Sequence, residues 1–161
     1  MSAALEWSPD ARVLIAGSSE EYGRVEEKDL PIDEETPLRP LSPYAVSKVG
    51  AGLLGYQFFK SYGLKVVRSR AFNHTGPRRG RNFVESKIAL AAATSWLAGA
   101  RKCRVRLGNM EAVRDFSDVR DIVVEYEILL SHGEPGEVYN LCSGVGVSIE
   151  ELVFRFREIF G

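Results

Sequence analysis

The chain has 161 residues, of which 45% are hydrophobic and 27% charged, and its formal net charge is −1. This length and composition are those of one globular domain with a substantial buried core. The near-neutral charge argues against a surface for nucleic acid or anionic membranes, the apolar runs are far shorter than a membrane span, and no signal peptide is recognisable, so we expect a cytoplasmic protein.

The first predicted elements are a buried strand, a long loop and a helix. Residues 12–17 form a short apolar run closed by glycine, which is typical of a buried parallel strand. Residues 23–43 are punctuated by acidic side chains and prolines, which predicts a loop over the surface. A helix is expected over 43–62, because Ser42 can cap its free amides, proline suits its first position and Gly63 can end it.

The rest of the chain alternates between strand and helix patterns. We predict strands at 64–72, 105–107 and 136–141, and helices at 82–100, at 118–132 with Asp118 at its start, and after Ser148, where Glu151 completes a capping box. Such alternation predicts an α/β fold with a mostly parallel sheet.

Neither cysteines nor histidines predict a special site. Cys103 and Cys142 are expected to be separate buried thiols, because disulfides are rare in a reducing compartment. His74 and His132 lie near no cysteine or carboxylate at metal-ligand spacing, so we predict no metal.

The strongest chemical motif is the pair Tyr44 and Lys48 at the start of the predicted helix. Residues four apart lie one helical turn apart and share a face. A nearby cation favours the phenolate, which makes Tyr44 a candidate acid and base. Taken alone, the motif is weak, because most such pairs are solvated surface residues.

Polar side chains follow two of the predicted strands. Ser18 and Glu20 come after the first strand, and Asn73 and His74 come after the second. Ligands bind beyond the carboxyl ends of parallel strands, so we expect these side chains to meet Tyr44 on one rim. Polar loops whose serines cap turns are the alternative.

The ordered series of motifs resembles the extended short-chain dehydrogenase/reductase family, within it the GDP-mannose 4,6-dehydratases and the GDP-4-keto-6-deoxy-mannose reductases. The resemblance extends over residues 12 to about 155. Its segments are Ser-Ser-Glu-x-Tyr-Gly at 18–23, Pro-Tyr-x-x-Ser-Lys at 43–48, Phe-Asn-His-x-x-Pro at 72–77, and the stretches 77–88, 108–121 and 138–144.

The resemblance implies catalytic and ligand-binding roles for ten residues. Tyr44 and Lys48 match the catalytic tyrosine and the lysine that also holds the nicotinamide ribose. Ser18 matches a hydroxyl that binds the sugar 4-OH, and Glu20 matches the acidic base of the dehydratases.

Further positions match contacts to the two nucleotides. His74 and Arg79 match contacts to the dinucleotide, NADP or NAD. Positions that grip the diphosphate of a GDP-mannose-like sugar nucleotide are Asn73, Val84, Lys87 and Arg114. A solvated basic surface, with no ligand, is the alternative for Arg78, Arg81, Lys87 and Arg114.

The resemblance also implies a partial Rossmann-like fold, that is, a doubly wound parallel sheet. Residues 1–81 would be the C-terminal half of the Rossmann-like domain, and residues 82–161 a nucleotide-sugar-binding part intertwined with it. The segment from Gly50 to Gly55 has the spacing of a dinucleotide loop but lies inside the helix of Tyr44, with no strand before it. We therefore expect the first strands, the Gly-rich loop and most cofactor contacts to be missing.

A missing first half has consequences for partners and activity. Residues 13–15 would become an unprotected apolar edge, which we expect to be covered by self-association, domain swapping or local refolding. A separate polypeptide that supplies the first half is another expected partner. The implied activity is hydride transfer at C4 with loss of water across C5–C6, and the alternatives are a reductase and a non-catalytic nucleotide-sugar-binding or structural oligomer.

Overall fold

A computed structural model describes residues 1–160 as two three-stranded sheets with five helices. The helices are α1 (Ser2–Trp7), α2 (Pro43–Tyr62), α3 (Val84–Leu97), α4 (Val119–His132) and α5 (Ile149–Phe160). The strands are β1 (Arg12–Ser18), β2 (Lys65–Ala71), β3 (Asn73–Thr75), β4 (Val113–Asp118), β5 (Val138–Leu141) and β6 (Gly146–Ser148).

The first sheet has the order β1-β2-β5, is parallel throughout and carries helices on both faces. Leu14 is paired with Val67, and both pack with Ile122 of α4 in the main core cluster. Ile15 and Val66 alternate with them and face α2. This arrangement confirms the predicted α/β fold and its doubly wound parallel sheet.

Helix α2 has the predicted boundaries because the residues that start and end it act on the adjacent backbone. The Ser42 hydroxyl accepts a hydrogen bond from the Ala45 amide at 3.0 Å, and Gly63 adopts a left-handed φ of 71°. Gly50 lies mid-helix, which confirms that the glycine spacing does not form a dinucleotide loop. Gly55 instead lets the helix approach the sheet, since a Cβ there would lie 3.0 Å from the Ile15 side chain.

The second sheet contains three strands, none of which was predicted from the sequence. β4 lies between β3, to which it is parallel, and β6, to which it is antiparallel. Asp115 of β4 accepts hydrogen bonds from the Ser143 amide and hydroxyl, both at 2.9 Å, and from the Gly144 amide at 2.7 Å. The predicted strand at 105–107 is wrong, because β3 and β6 pair with β4 instead.

Other sequence predictions hold in type but differ in detail. The helix expected at 82–100 is the shorter α3, and the strand expected from Gly136 begins at Val138. Cys103 and Cys142 are free thiols as expected, but both are exposed, so their predicted burial is wrong. Each lies in a loop outside the regular elements, where no opposing layer covers it.

β1 is an edge strand: among residues 1–160, no strand lies on its other side. Its first residue is fastened to the end of α4, where the Arg12 guanidinium donates to the carbonyls of Leu130 and Gly133 and, at 3.5 Å, of Leu129. The Leu129 carbonyl also accepts from the Gly133 amide, whereas the carbonyls of Leu130 and Gly133 lie at the helix end where intrahelical donors run out, so Arg12 acts as a C-terminal cap. Within the described residues, no helix is long and apolar enough to cross a membrane.

Candidate active site

A tight turn at the end of β1 presents the first two predicted site residues. The Ser18 hydroxyl accepts a hydrogen bond from the Glu20 amide at 3.3 Å and caps the short 3-10 turn Ser19–Tyr22. The Ser18 amide in turn donates to Glu21 Oε1 at 2.9 Å. Ser18 and Glu20 therefore lie together at the carboxyl end of β1, as predicted, and the Glu20 side chain is exposed.

Ser42 connects this turn to helix α2. Its hydroxyl donates a hydrogen bond to Glu20 Oε2 at 3.2 Å while its lone pair accepts from the Ala45 amide. The same side chain thus starts the helix and orients the exposed carboxylate. Tyr44 follows two residues later in the first turn of that helix.

Tyr44 and Lys48 share a helix face at the unpaired edge of β1. The Lys48 ammonium lies 5.6 Å from the centre of the Tyr44 ring and donates to the Ala16 carbonyl at 2.9 Å. The Arg68 amide donates to the Glu137 carbonyl, on the side of β2 that faces away from β1. Ile15, which is paired with Arg68, therefore directs its backbone hydrogen bonds towards β2. The carbonyl of the next residue, Ala16, then points to the unpaired edge of β1.

The Tyr44 phenol is available to a ligand. Its side chain is about half exposed, at 52%. Tyr126 of α4 is near this phenol. Burial raises the pKa of Tyr126, the Tyr44 phenol raises it further, and a hydrogen bond with Ser69 lowers it. The phenol and the ammonium therefore lie along β1, and the Glu20 carboxylate lies on the turn that follows this strand.

Asn73 and His74 lie on β3, directly beyond β2. Ala71, the last residue of β2, is paired with Ser18, and Asn73 follows two residues later. Asn73 is thus at the same end of the sheet as the Ser18 turn. His74 Nδ1 lies 3.0 Å from the Phe72 carbonyl, and this contact holds its ring against its own strand.

Arg79 is held mainly by other residues of the protein. Its guanidinium forms an ion pair with the buried Glu85, donates to the His74 carbonyl and stacks over the Phe83 ring with 3.7 Å to its centre. These contacts fix the turn before α3. A dinucleotide would meet only the remaining exposed part of the side chain, which is 19% of its surface.

The predicted diphosphate-binding residues lie on the second sheet and α3. Val84 begins α3, Lys87 is exposed one turn later, and Arg114 is exposed on β4, where it donates to the Val113 carbonyl at 2.7 Å. Within residues 1–160, neither cation forms an ion pair with a carboxylate. Two unpaired cations are suited to a diphosphate, although the structure does not bring Lys87 and Arg114 into mutual contact.

The donor set beside β1 fits the ribose of a nicotinamide dinucleotide. Lys48 has three N–H donors and uses one on Ala16, so two remain for vicinal hydroxyls. The phenol of Tyr44 lies on the same face. The pyrophosphate finds no matching loop among the described residues, because the glycines of α2 are helical.

A buried polar network behind the turn was not predicted. Glu21 Oε2 lies 3.2 Å from Arg70 Nε, and Arg70 Nη1 donates to the Tyr22 hydroxyl at 2.9 Å. The Tyr22 hydroxyl donates to Asn140 Oδ1 on β5 at 2.7 Å. Burial raises the pKa of Tyr22. The available signal was a charged residue, Arg70, at an interior position of the strand predicted at 64–72.

Comparison with known proteins identifies the family. The family model described as GDP-mannose 4,6 dehydratase matches residues 1–159. The chain belongs to the GDP-mannose 4,6 dehydratase family. A Rossmann-like short-chain dehydrogenase/reductase fold is therefore shown, in agreement with the motif series.

Two relatives and one solved structure describe this similarity. The chain is 42% identical over 146 residues to a GDP-6-deoxy-D-mannose reductase of Pseudomonas aeruginosa, with 91% of this chain and 48% of the relative covered. It is 38% identical over 138 residues to a GDP-mannose 4,6 dehydratase of Homo sapiens, covering 86% of this chain and 36% of the relative. The structure of RMD from Pseudomonas aeruginosa complexed with NADPH superposes with a TM-score of 0.87 at 40% identity, covering 92% and 50% of the two chains.

This GDP-mannose 4,6 dehydratase family member matches only part of each relative. The chain spans less than half the length of both relatives.

Proposed function

We propose that this chain is the substrate-binding and acid–base half of a GDP-mannose 4,6-dehydratase-like enzyme that uses NADP or NAD. The observation that carries the proposal is the Tyr44–Lys48 pair beside the carboxyl end of β1, with the ammonium on the Ala16 carbonyl. Ser18 and Glu20 lie on the adjoining turn. Family membership supports the substrate class.

In this proposal each side chain has one role at a stated atom of the sugar. Ser18 binds the 4-hydroxyl, and the Tyr44 phenolate takes its proton while the Lys48 ammonium stabilises the anion. The chemistry that a bound nicotinamide supplies is uptake of the hydride from C4 and its return to C6. Glu20 removes the proton from C5 and passes it to the leaving C6 hydroxyl, so that water departs.

The remaining step restores the starting protonation states. Tyr44 returns its proton to C5 when C6 receives the hydride, so phenolate and carboxylate are both regenerated. The exposed Glu20 carboxylate is oriented for its role by the hydrogen bond from Ser42. Lys87 and Arg114 would hold the diphosphate through charge-assisted hydrogen bonds, and Asn73 and Val84 would complete its binding site.

A GDP-4-keto-6-deoxy-mannose reductase is the second candidate. It is favoured by the 42% identity to the reductase of Pseudomonas aeruginosa. Such a reductase needs Tyr44, Lys48 and Ser18 to deliver a proton to a C4 ketone, but it needs no base at C5. The presence of Glu20 favours the dehydratase, but reductases can carry an acid at this place too, so it is the substitution of Glu20 that distinguishes the two candidates.

We further propose that turnover requires a partner. Residues 1–81 would be the C-terminal half of a Rossmann-like domain and residues 82–161 the nucleotide-sugar-binding part. β1, which has an unpaired edge, is the place where a separate polypeptide with the first strands and the Gly-rich loop would join.

Calorimetry of the whole chain with GDP-mannose and with NADP tests the proposal. We expect GDP-mannose to bind and NADP to bind only after addition of an N-terminal half from a family member. Turnover of GDP-mannose with that half then tests activity. Binding of neither nucleotide in any combination would overturn the proposal and leave a structural role.

A further inference from the structure

We propose that Glu21 and Arg70 are positioning residues that hold the Ser18–Glu20 turn in one arrangement. This inference rests on the proposed function, because it assigns these residues to the turn that carries Ser18 and Glu20. Neither side chain reaches a ligand: Glu21 is 3% and Arg70 7% exposed. Their effect on the chemistry would therefore be transmitted through the turn.

Glu21 is attached to three parts of the structure at once. Its Oε1 accepts from the Ser18 amide at 2.9 Å, and its Oε2 lies 3.2 Å from Arg70 Nε on the neighbouring strand. Its backbone carbonyl accepts from the Arg39 amide at 3.0 Å, which brings the end of the long loop onto the turn. The carboxylate thus fixes the residue whose hydroxyl is proposed to meet the sugar.

Arg70 extends this attachment to two further segments. Its Nη1 donates to the Tyr22 hydroxyl and to the Glu34 carbonyl, both at 2.9 Å. The Tyr22 hydroxyl then donates to Asn140 of β5, and the Asn140 amide donates to Glu34 Oε1 at 2.6 Å. These bonds connect the Ser19–Tyr22 turn, the loop that contains Glu34, and the strands β1, β2 and β5. The groups are shielded from water, where each hydrogen bond is stronger than at the surface.

Gly17 shows that space for the Glu21 carboxylate is built into β1. A Cβ at position 17 would collide with Glu21 Oε1 and with the Ser69 carbonyl. Any larger residue there would push the carboxylate away from the Ser18 amide.

Amide hydrogen exchange on the full chain tests the inference independently of turnover. Glu21→Gln keeps an oxygen that can accept from the Ser18 amide and leaves Arg70 buried without its counter-charge. The double variant Glu21→Met/Arg70→Met is therefore the second variant: it removes this acceptor, is neutral and remains packed. We expect amides at 17–23 and at Arg39 to exchange roughly tenfold or more faster in the double variant, with α4 changed less than about twofold. Ile122→Val is the control, because it weakens the core at α4 and does not touch the turn.

Kinetics with the complementing half test the link to catalysis. A misplaced turn predicts a kcat roughly a hundredfold lower with KM for GDP-mannose within about twofold, because small displacements of reacting groups reduce rate and the diphosphate is held elsewhere. Uniform acceleration of exchange over the turn and α4, an unchanged turn, or a loosened turn with unchanged kcat would each overturn the inference. If the wild-type complex has no turnover, the proposed function fails, and the exchange pattern alone decides whether this pair holds the turn.

Discussion

The Ser42 hydroxyl lies 3.2 Å from Glu20 Oε2, so a helix cap and a candidate catalytic carboxylate depend on one side chain. Ser42→Ala removes the cap of α2 and the hydrogen bond to Glu20 together. We expect a loss of about 1 kcal/mol of unfolding free energy, the usual value for an N-cap serine, and a lower kcat with the complementing half.

Ser148→Ala is the matched control for this change. Ser148 caps α5 through its hydroxyl, which accepts from the Glu151 amide at 3.0 Å, and it lies on β6, away from the Ser18–Glu20 turn. Urea unfolding is expected to give similar losses for both variants, and only Ser42→Ala is expected to reduce kcat. Equal kcat values at equal stability would contradict a role of Ser42 in orienting Glu20.

Two glycines of α2 are predicted to respond in opposite ways to alanine. Gly50 has open space at its Cβ, so Gly50→Ala is expected to raise the unfolding free energy by about 0.5–1 kcal/mol through helix propensity. At Gly55, a Cβ would lie 3.0 Å from Ile15 Cγ1 and 3.1 Å from Val66 Cγ1. Gly55→Ala is expected to be less stable than the wild type in urea unfolding, and a gain equal to that of Gly50→Ala would exclude close helix–sheet packing.

Asp118 gives a pH dependence with a defined sign. Hydrogen bonds from the Arg120 side chain and amide lower the pKa of Asp118 from 3.8 to about 2. A carboxyl with a lowered pKa in the folded state stabilises above pH 3.8 and loses this contribution as the pH falls to about 2. Asp118→Asn keeps an N-cap side chain without the charge, so the urea midpoint of the wild type is expected to fall more steeply than that of the variant between these pH values. Parallel curves would contradict the prediction.

Substitution of Glu20 distinguishes the two candidate reactions. In a dehydratase, Glu20→Gln removes the base at C5 and is expected to lower kcat by roughly 10²–10⁴ fold, the range for general acid–base catalysis. In a reductase the same variant retains most of its rate, and only Tyr44→Phe lowers it. Turnover of GDP-mannose and of its 4-keto-6-deoxy product, each measured with the complementing half, separates these outcomes.

The unpaired edge of β1 predicts association. We expect the isolated chain to elute as a dimer or larger oligomer in size-exclusion chromatography with light scattering, because apolar strand edges pair readily. Addition of the complementing half is expected to replace this species by a one-to-one complex. A monomer with an ordered β1 would contradict self-association through the edge.

Sequence patterns predicted the elements whose signals are local. Helix α2 begins and ends as predicted because serine, proline and glycine act within one turn of its ends. β4 escaped prediction because Val-Arg-Asp-Phe-Ser-Asp contains no apolar run, and its pairing with β3 and β6 depends on residues far along the chain. The strand predicted at 105–107 had the apolar pattern but no partner.

The candidate site was predictable to the same extent. The motif series indicated Ser18, Glu20, Tyr44 and Lys48, and the structure brings them to the end of β1. The ion pair of Arg79 with Glu85 and that of Arg70 with Glu21 were not predicted. Both depend on strand register and burial, which one sequence does not specify.

The attachment of Arg12 to the end of α4 has a consequence for biosynthesis. Arg12 Nη2 and the Leu129 carbonyl are 117 residues apart in the chain, and β5, the last strand of the same sheet, ends at Leu141. Most of the polypeptide must therefore leave the ribosome before this sheet can close, and such long-range closure is slow. β2 can pair with β1 long before α4 and β5 have been synthesised, so in the interval the sheet is a two-stranded ribbon whose outer edges are open to association with other chains.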